Sequence, residues 1–405
     1  MRGIFLIITL FFALSFAGEG PVSYYGKLKV REGAAFLDGE KKGSEVQLRG
    51  VSFGWSNTSW ESGRFYQAEF AATAVEHMVK DWKAEVVRAA YGTTSSAFTS
   101  STATENRASV ERVVDAAIAN DVYVIIDFHS HNAQNEVENS KVFFEYMAQK
   151  YGDKDNVIFE LYNEPINPAT WADIKTYSEQ IIPVIRKYST NLILVGTPNY
   201  SQKVTAVVGN AIDDGNVGYV LHFYANTHPL NNWRDNIEIA LNNGLLIFVT
   251  EYGTTDADGG QSNAGHYDTH NAGRTNAWHN FMDEKKISSA AWEVNDKYAG
   301  SAFFGIQGAA KKFDMVSWAD TTKMNESGKY IFNKLNEYEK TAAWKQPDEP
   351  TKLSVNFLHS GEASIEIYSL QGKKAGNSLS NLKAGAYILL LKQGSQTKSV
   401  KIVKK

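Results

Sequence analysis

The sequence predicts a closed parallel barrel of eight strand–helix units, (β/α)8, followed by a small all-β module. Three observations predict it. From about residue 47 to 340, short apolar runs alternate with amphipathic helical stretches. The runs are too apolar to have one wet face, as expected of parallel strands covered on both sides. No Gly-rich phosphate fingerprint follows the first run, which argues against an open doubly wound sheet.

Before the barrel comes a targeting segment. Met1 and Arg2 give a positive start, IFLIITLFFALSFA is apolar, and Ser15-Phe16-Ala17 fits a small-x-small cleavage site. The 14 apolar residues fall short of the roughly 20 that a spanning helix needs. Residues 1–17 therefore read as a signal peptide, and the protein is expected to be secreted, extracellular or on the outer cell surface. The chain has no Cys, so its stability comes from the core and not from disulfides, and thiolate metal sites are excluded.

The strand expectations are QLRGVSFG (47–54), AEVVRAA (84–90), VYVIIDFH (122–129) and VIFELYNE (157–164), then LILVGTP (192–198), VGYVLHFY (217–224), LLIFVTEYG (245–253) and ISSAAWEV (287–294). Helices are expected at 69–82, 107–120, 137–151, 171–188, 232–243, 274–285 and 326–340, with a weaker segment at 201–212. The barrel domain is placed at 18–340. TAAWKQPDEP (341–350), with two prolines, reads as a linker.

Residues 351–405 differ in composition, with nine Lys, no Arg and two Glu. KLSVNFL, ASIEIYSL, AYILLLK and KSVKIVK read as short alternating strands separated by turns such as QGKK and KAG, a β-sandwich-like module.

Net charge is only −4, so neither nucleic acid nor a membrane surface is expected as a main partner. Aromatic residues reach 12%, with 9 Trp and 20 Tyr, a supply that suits flat apolar ligands such as sugar rings.

In barrels of this kind chemistry gathers at the C-terminal ends of the strands. Those ends carry Arg88, His129, Asn163 and Glu164, His222 and Tyr224, Glu251 and Trp292. The spacing of two puts His222 and Tyr224 on one face. Two carboxylates flanking one bond are what glycoside hydrolysis needs: an acid for the leaving oxygen, and a group that attacks or activates water. Arg88 and Tyr224 are then expected to hold the nucleophile ionised and oriented, and Asn163 to bond a sugar 2-hydroxyl. A structural alternative makes Arg88 an internal ion-pair partner of Glu160, which alternates onto the same strand face as Glu164. A lone His129 or His222 is more often a satisfied polar residue than a catalytic one; their joint position at strand ends shifts that balance.

The set VVRAA, DFH, LYNEP, HFY, VTEYGT and AWEVNDK resembles glycoside hydrolase family 5, and within it the bacterial cellulases (endo-β-1,4-glucanases). The match runs from about Gly26 to Tyr338. The resemblance implies that Glu164 in NEP is the acid/base and Glu251 in TEYG the nucleophile of a retaining mechanism. It implies supporting or binding roles for Arg88, His129, Asn163, His222, Tyr224 and Trp292. It also implies that Trp55, Tyr66 and Lys297 bind glucose units. One departure is Tyr200 in TPNYSQ, where this branch usually has Trp. The expected substrate is β-1,4-glucan; mannanase, xylanase and mixed-linkage glucanase remain enzyme alternatives, and a non-catalytic cell-surface glycan-binding protein is the alternative of another class.

No cofactor and no catalytic metal are expected. His129 and His131 in HSH lack an Asp or Lys set to complete a site, and DADGG (256–260) lacks the full calcium-loop pattern. The C-terminal module resembles the sorting domains of exported proteins in Bacteroidetes, through IEIYSLQGK, LKAGAYIL and KSVKIVKK, which implies contact with secretion machinery or the cell surface. As a carbohydrate-binding module it has few aromatics: Phe357, Tyr368, Tyr387 and no Trp. A monomer is expected.

Overall fold

The computed structural model describes residues 20–57, 61–93, 101–257, 259, 269–305, 313–345, 363–369, 373–376, 385–393 and 396–404. The signal peptide, linker residues 346–350, the KLSVNFL run and part of DADGG lie outside them. The chain divides into two compact units, Met1–Trp344 and Lys345–Lys405.

The first unit opens with a short helix, α1 (Pro21–Tyr25), and an antiparallel pair, β1 (Leu28–Val30) and β2 (Leu37–Gly39). Periodicity gives no sign of these elements, because each is too short to complete a repeat. Val22, Tyr25, Leu28 and Leu37 pack with Val86, Ile158 and Val220, residues near the starts of barrel strands. They close the N-terminal end of the barrel.

The barrel follows in chain order: β3 (Arg49–Trp55), α2 (Ala71–Lys80), β4 (Val86–Gly92), α3 (Ser101–Ala119), β5 (Tyr123–His129), α4 (Val137–Tyr151), β6 (Val157–Glu160) and α5 (Trp171–Arg186). It continues with β7 (Ile193–Val195), α6 (Pro198–Ser201), β8 (Val217–Tyr224), α7 (Arg234–Asn242), β9 (Ile247–Gly253), α8 (Ala272–Lys285), β10 (Ser288–Val294) and α9 (Glu326–Glu339). The strands close in the order β10-β3-β4-β5-β6-β7-β8-β9, every pairing parallel. This is the predicted (β/α)8 barrel.

Local chemistry explains the helix positions. In α5, Ile174, Tyr177, Ile181 and Ile185 recur on the buried face. The helix starts where Thr170 and Asp173 form a reciprocal capping box, which contributes about 1 kcal/mol. Helix α3 begins six residues before its expected start at 107: STATEN carries little apolar signal, yet Ala103 and Asn106 are buried and Asn106 donates to the Gly92 carbonyl. The weak 201–212 segment resolves into α6 and one 3-10 turn, Val204–Val207.

Two strand details depart from expectation and both shape the site. The ladder of β6 stops at Glu160, not Glu164, because its neighbour β7 is only three residues long. Residues 161–165 are instead held piecewise: Leu161 N donates to Leu194 O, Ser201 Oγ to Asn163 O at 2.6 Å, and Tyr200 N to Pro165 O at 2.9 Å. In β9, Val220 and His222 pair with Phe248 and Glu251, while Ser289 and Ala291 pair with Val249 and Tyr252. Both neighbours therefore see one extra residue in β9, a β-bulge. It breaks strict alternation and turns Thr250 and Glu251 toward the lumen together.

The second unit holds one four-stranded antiparallel sheet among its described residues: β11 (Ala363–Ser369), β12 (Lys374–Gly376), β13 (Gly385–Gln393) and β14 (Gln396–Lys404), in the order β12-β11-β13-β14. The expected QGKK turn ends within β12, since Lys374 pairs with Tyr368.

Candidate active site

At the C-terminal rim, Trp55, His129, His131, Asn163, Glu164, Tyr224, Glu251, Trp292 and Lys297 line one cleft. Beneath it, inward-facing residues form a polar layer organised around Arg88, which is fully buried. Arg88 makes a bidentate pair with Glu160 (Nε–Oε2 2.8 Å, Nη2–Oε1 3.1 Å) and lies 2.9 Å from Asp127 Oδ2. It also donates to Glu251 Oε2 at 3.1 Å and to Asn163 Oδ1 at 2.7 Å. Both readings of Arg88 are thus realised in one side chain: a structural partner of Glu160 and a donor to Glu251.

Glu251 receives its second donor from Tyr224, whose hydroxyl lies 2.7 Å from Oε1. Glu164 faces two imidazoles: His222 Nδ1 lies 2.9 Å from Oε1, and His131 Nε2 3.3 Å from Oε2. The other side of His222 is fixed too, with Nε2 2.9 Å from Thr250 Oγ1, and that hydroxyl donates to Glu160 Oε1 at 2.8 Å. One oxygen of Glu164, one oxygen of Glu251 and one nitrogen of His222 all lie within 4.8 Å of one another.

His129 orients Asn163. Its Nδ1 lies 2.6 Å from Asp127 Oδ2 and its Nε2 3.4 Å from Asn163 Nδ2. Burial, with Arg88 adding, pushes the imidazole well below its ordinary value, so it is neutral and Nε2 accepts from the amide. The Asn163 oxygen is occupied by Arg88, which leaves one amide hydrogen for a ligand. The His129 ring stacks on Trp292 (5.5 Å, 4°) and meets the edge of Trp55 at 4.4 Å.

Burial is the largest influence on every carboxyl in this layer. It pushes Asp127 and Glu160 up to about 7 each against the pull of Arg88. Burial also raises Glu164, but hydrogen bonds from His131 and His222 outweigh it and hold that carboxyl below its ordinary value. Glu251 stays above its ordinary value through burial, with His222 and Arg88 opposing and the Glu164 charge adding. The two acids lie close enough to titrate as a pair.

Not every expected residue belongs to the cleft. Tyr66 is fully buried, and its hydroxyl donates to Gly54 O (2.8 Å) and accepts from Ala90 N (3.0 Å), filling the gap where β3 and β4 lose register. Its expected contact with glucose is corrected to a structural role. Tyr200 is exposed on the α6 turn, outside the residues that line the cleft. Lys297 lines the cleft and pairs with the buried Glu293 at 2.6 Å.

This rim constellation matches one family. The sequence pattern described as cellulase (glycosyl hydrolase family 5) covers residues 40–298. The chain belongs to glycosyl hydrolase family 5. Among relatives, endoglucanase Z of Dickeya dadantii is 42% identical over 294 residues, 72% of this chain and 62% of that protein. The chain spans about three fifths of the length of the first curated relatives it matches. A solved structure from Cytophaga hutchinsonii shares 38% identity with a TM-score of 0.70, covering 79% of this chain and 97% of that one. The catalytic domain of a Thermobifida fusca endoglucanase, solved with cellotetraose, shares 26% identity with a TM-score of 0.68, covering 78% and 99%.

Sequence reasoning missed Asp127 and Thr250. Asp127 was open to discovery, since it sits two residues before His129 and so on the same strand face. Thr250 was not: by alternation Thr250 and Glu251 face opposite ways, and only the β9 bulge brings both inward.

Proposed function

We propose that the protein is a secreted endo-β-1,4-glucanase that cleaves cellulose and related β-glucans with retention of configuration. The observation that carries this reading is the approach of Glu164 and Glu251 oxygens to within 4.8 Å at the barrel rim. Retaining enzymes hold their carboxyl groups about 5–5.5 Å apart, and inverting ones about 6.5–9.5 Å to admit a water. Family membership and relatives named endoglucanases support the choice of β-1,4-glucan.

In the first step a Glu251 oxygen attacks the anomeric carbon, the glycosidic bond breaks, and Glu164 gives its proton to the leaving oxygen. The donors Arg88 and Tyr224 on Glu251 aim that carboxylate and favour its ionised form against burial. Once Glu251 is an ester its charge is gone, and Glu164 takes a proton from the water that releases the sugar. The free amide hydrogen of Asn163 suits a bond to the sugar 2-hydroxyl, and Trp55 and Trp292 offer apolar ring surface beside it.

The basic C-terminal module reads as a sorting or attachment element for export, supported by its composition and short-strand pattern. Initial rates of reducing-sugar release on carboxymethyl-cellulose, mannan, xylan and barley β-glucan test the substrate. The expected result is fastest release from carboxymethyl-cellulose; faster release from mannan, xylan or the mixed-linkage glucan overturns the assignment.

A further inference from the structure

Behind Glu164 runs a continuous buried chain of hydrogen bonds that the two-carboxylate mechanism does not use: Glu164 to His222, His222 to Thr250, Thr250 to Glu160, and Glu160 to Arg88. Every link is 2.8–2.9 Å, and His222, Thr250, Glu160 and Arg88 are all buried. Donor–acceptor logic gives the chain one direction. Both oxygens of Glu160 accept from the guanidinium, and Oε1 also accepts from Thr250. The Thr250 hydrogen is therefore spent on Glu160, and the Thr250 oxygen must accept from His222 Nε2–H. With Nε2 committed, Nδ1 is the nitrogen that answers to Glu164.

We infer that Thr250 is a positioning residue: by accepting from Nε2–H it fixes the His222 ring and holds Nδ1 against Glu164, and so sets how strongly Glu164 holds its proton. This rests on the reading of Glu164 as the acid/base. His222 carries a hydrogen on Nε2 toward Thr250 and presents Nδ1 to Glu164, with Glu160 Oε1 4.0 Å from Nε2. The charged and titratable groups around the ring are Glu160 and Glu164 from the β6 segment, Glu251 from β9, Asp127 and His129 from β5, Arg88 from β4, which pairs with Glu160, Asp127 and Glu251, and His131, which shares Glu164. The neighbouring β7, Ile-Leu-Val, contributes none.

When Glu164 gives its proton to the leaving oxygen, the carboxylate left behind keeps the His222 Nδ1 hydrogen bond. That bond makes Glu164 a stronger acid in the first step and stabilises the ion it becomes. The β9 bulge thus serves both carboxyls: Glu251 directly, and Glu164 through Thr250.

Thr250→Val keeps the side-chain shape and removes the acceptor. The Nε2 hydrogen then has no partner, His222 is no longer held against Glu164, and without that hydrogen bond Glu164 holds its proton to higher pH. The expected result is a roughly ten-fold loss of kcat/KM on carboxymethyl-cellulose with KM little changed, and an alkaline limb of the pH profile moved upward. Thr250→Ser, which retains the hydroxyl, restores both rate and limb. A Thr250→Val enzyme with the wild-type rate and limb overturns the inference, as does a Thr250→Ser enzyme that behaves like Thr250→Val. Nitrogen-15 chemical shifts of His222 in the wild-type protein read the same point without a variant. A protonated Nε2 at the working pH supports the inference, and a bare Nε2 overturns it. Glu164→Gln assayed alongside separates the two claims: if Glu164→Gln keeps full activity, the acid/base reading itself fails, whereas an impaired Glu164→Gln beside an unaltered Thr250→Val sinks only the role of Thr250.

Discussion

Glu164 and Glu251 sit in one cleft with different neighbours, and the difference divides the labour. Glu251 is held by a guanidinium and a phenol that do not move with the reaction. Glu164 is met by two imidazoles, groups able to follow a carboxyl through loss and gain of a proton. Glu164→Gln should therefore lose most activity on substrates with poor leaving groups. An activated aryl cellobioside needs little protonation, so its first step should be partly spared and the glycosyl-enzyme should accumulate. Glu251→Gln should abolish turnover of both substrate types, a loss of the order of 10³-fold or more. Steady-state and burst kinetics on cellulose and aryl cellobioside check this; equal losses on both substrates for Glu164→Gln, with no burst, would contradict it. At this scale much of the site was legible. NEP and TEYG, read with strand ends, point to two acids that the structure brings into one cleft, together with Trp55, His129, Asn163, Tyr224, Trp292 and Lys297. Tyr66 was misread because a motif match does not distinguish a hydroxyl facing sugar from one sealed between strands.

Among the elements, the places where β-strands depart from regularity carry the most information. Register is lost between β3 and β4, where the Tyr66 hydroxyl replaces a ladder bond by joining Gly54 O to Ala90 N. Tyr66→Phe leaves both backbone groups short of a buried partner and should cost about 1–3 kcal/mol of stability. Thermal unfolding should show that loss, while KM for cello-oligosaccharides stays at the wild-type value; a raised KM with unchanged stability would return Tyr66 to the sugar-binding set. The β9 bulge and the early end of β6 were illegible for a common reason. Period-two reading assumes an unbroken ladder, and an apolar run such as VIFELYNE looks the same whether its last residues pair with a strand or with a loop. The long helices were easier, because packing against the strands imposes a regular apolar stripe, and among them α3 alone, with its polar first turns, starts well before its expected position. The elements α1, β1 and β2 lie in 20–46, where nothing repeats long enough to be counted.

The whole barrel encloses more acid than base. Asp127 and Glu160, both raised by burial to about 7 from ordinary values of 3.8 and 4.5, share one guanidinium with Glu251. A raised carboxyl binds its proton more tightly folded than unfolded. The folded state therefore holds protons that the unfolded chain has released between about pH 4 and pH 7, and stability from these two groups falls as pH rises through that window. The melting temperature should be higher at pH 5 than at pH 8, and Asp127→Asn should flatten part of the difference; a dependence of opposite sign would contradict the burial argument. Enclosing these charges serves the rim above them, where one carboxylate is aimed at an anomeric carbon and another holds a proton within reach of the same bond. The central claim is that these two acids act by double displacement on a β-1,4-glucan. Proton NMR of cello-oligosaccharide hydrolysis, followed from the first seconds, tests it most directly. The account predicts that the β-anomer of the new reducing end appears first and then mutarotates; first appearance of the α-anomer would contradict it.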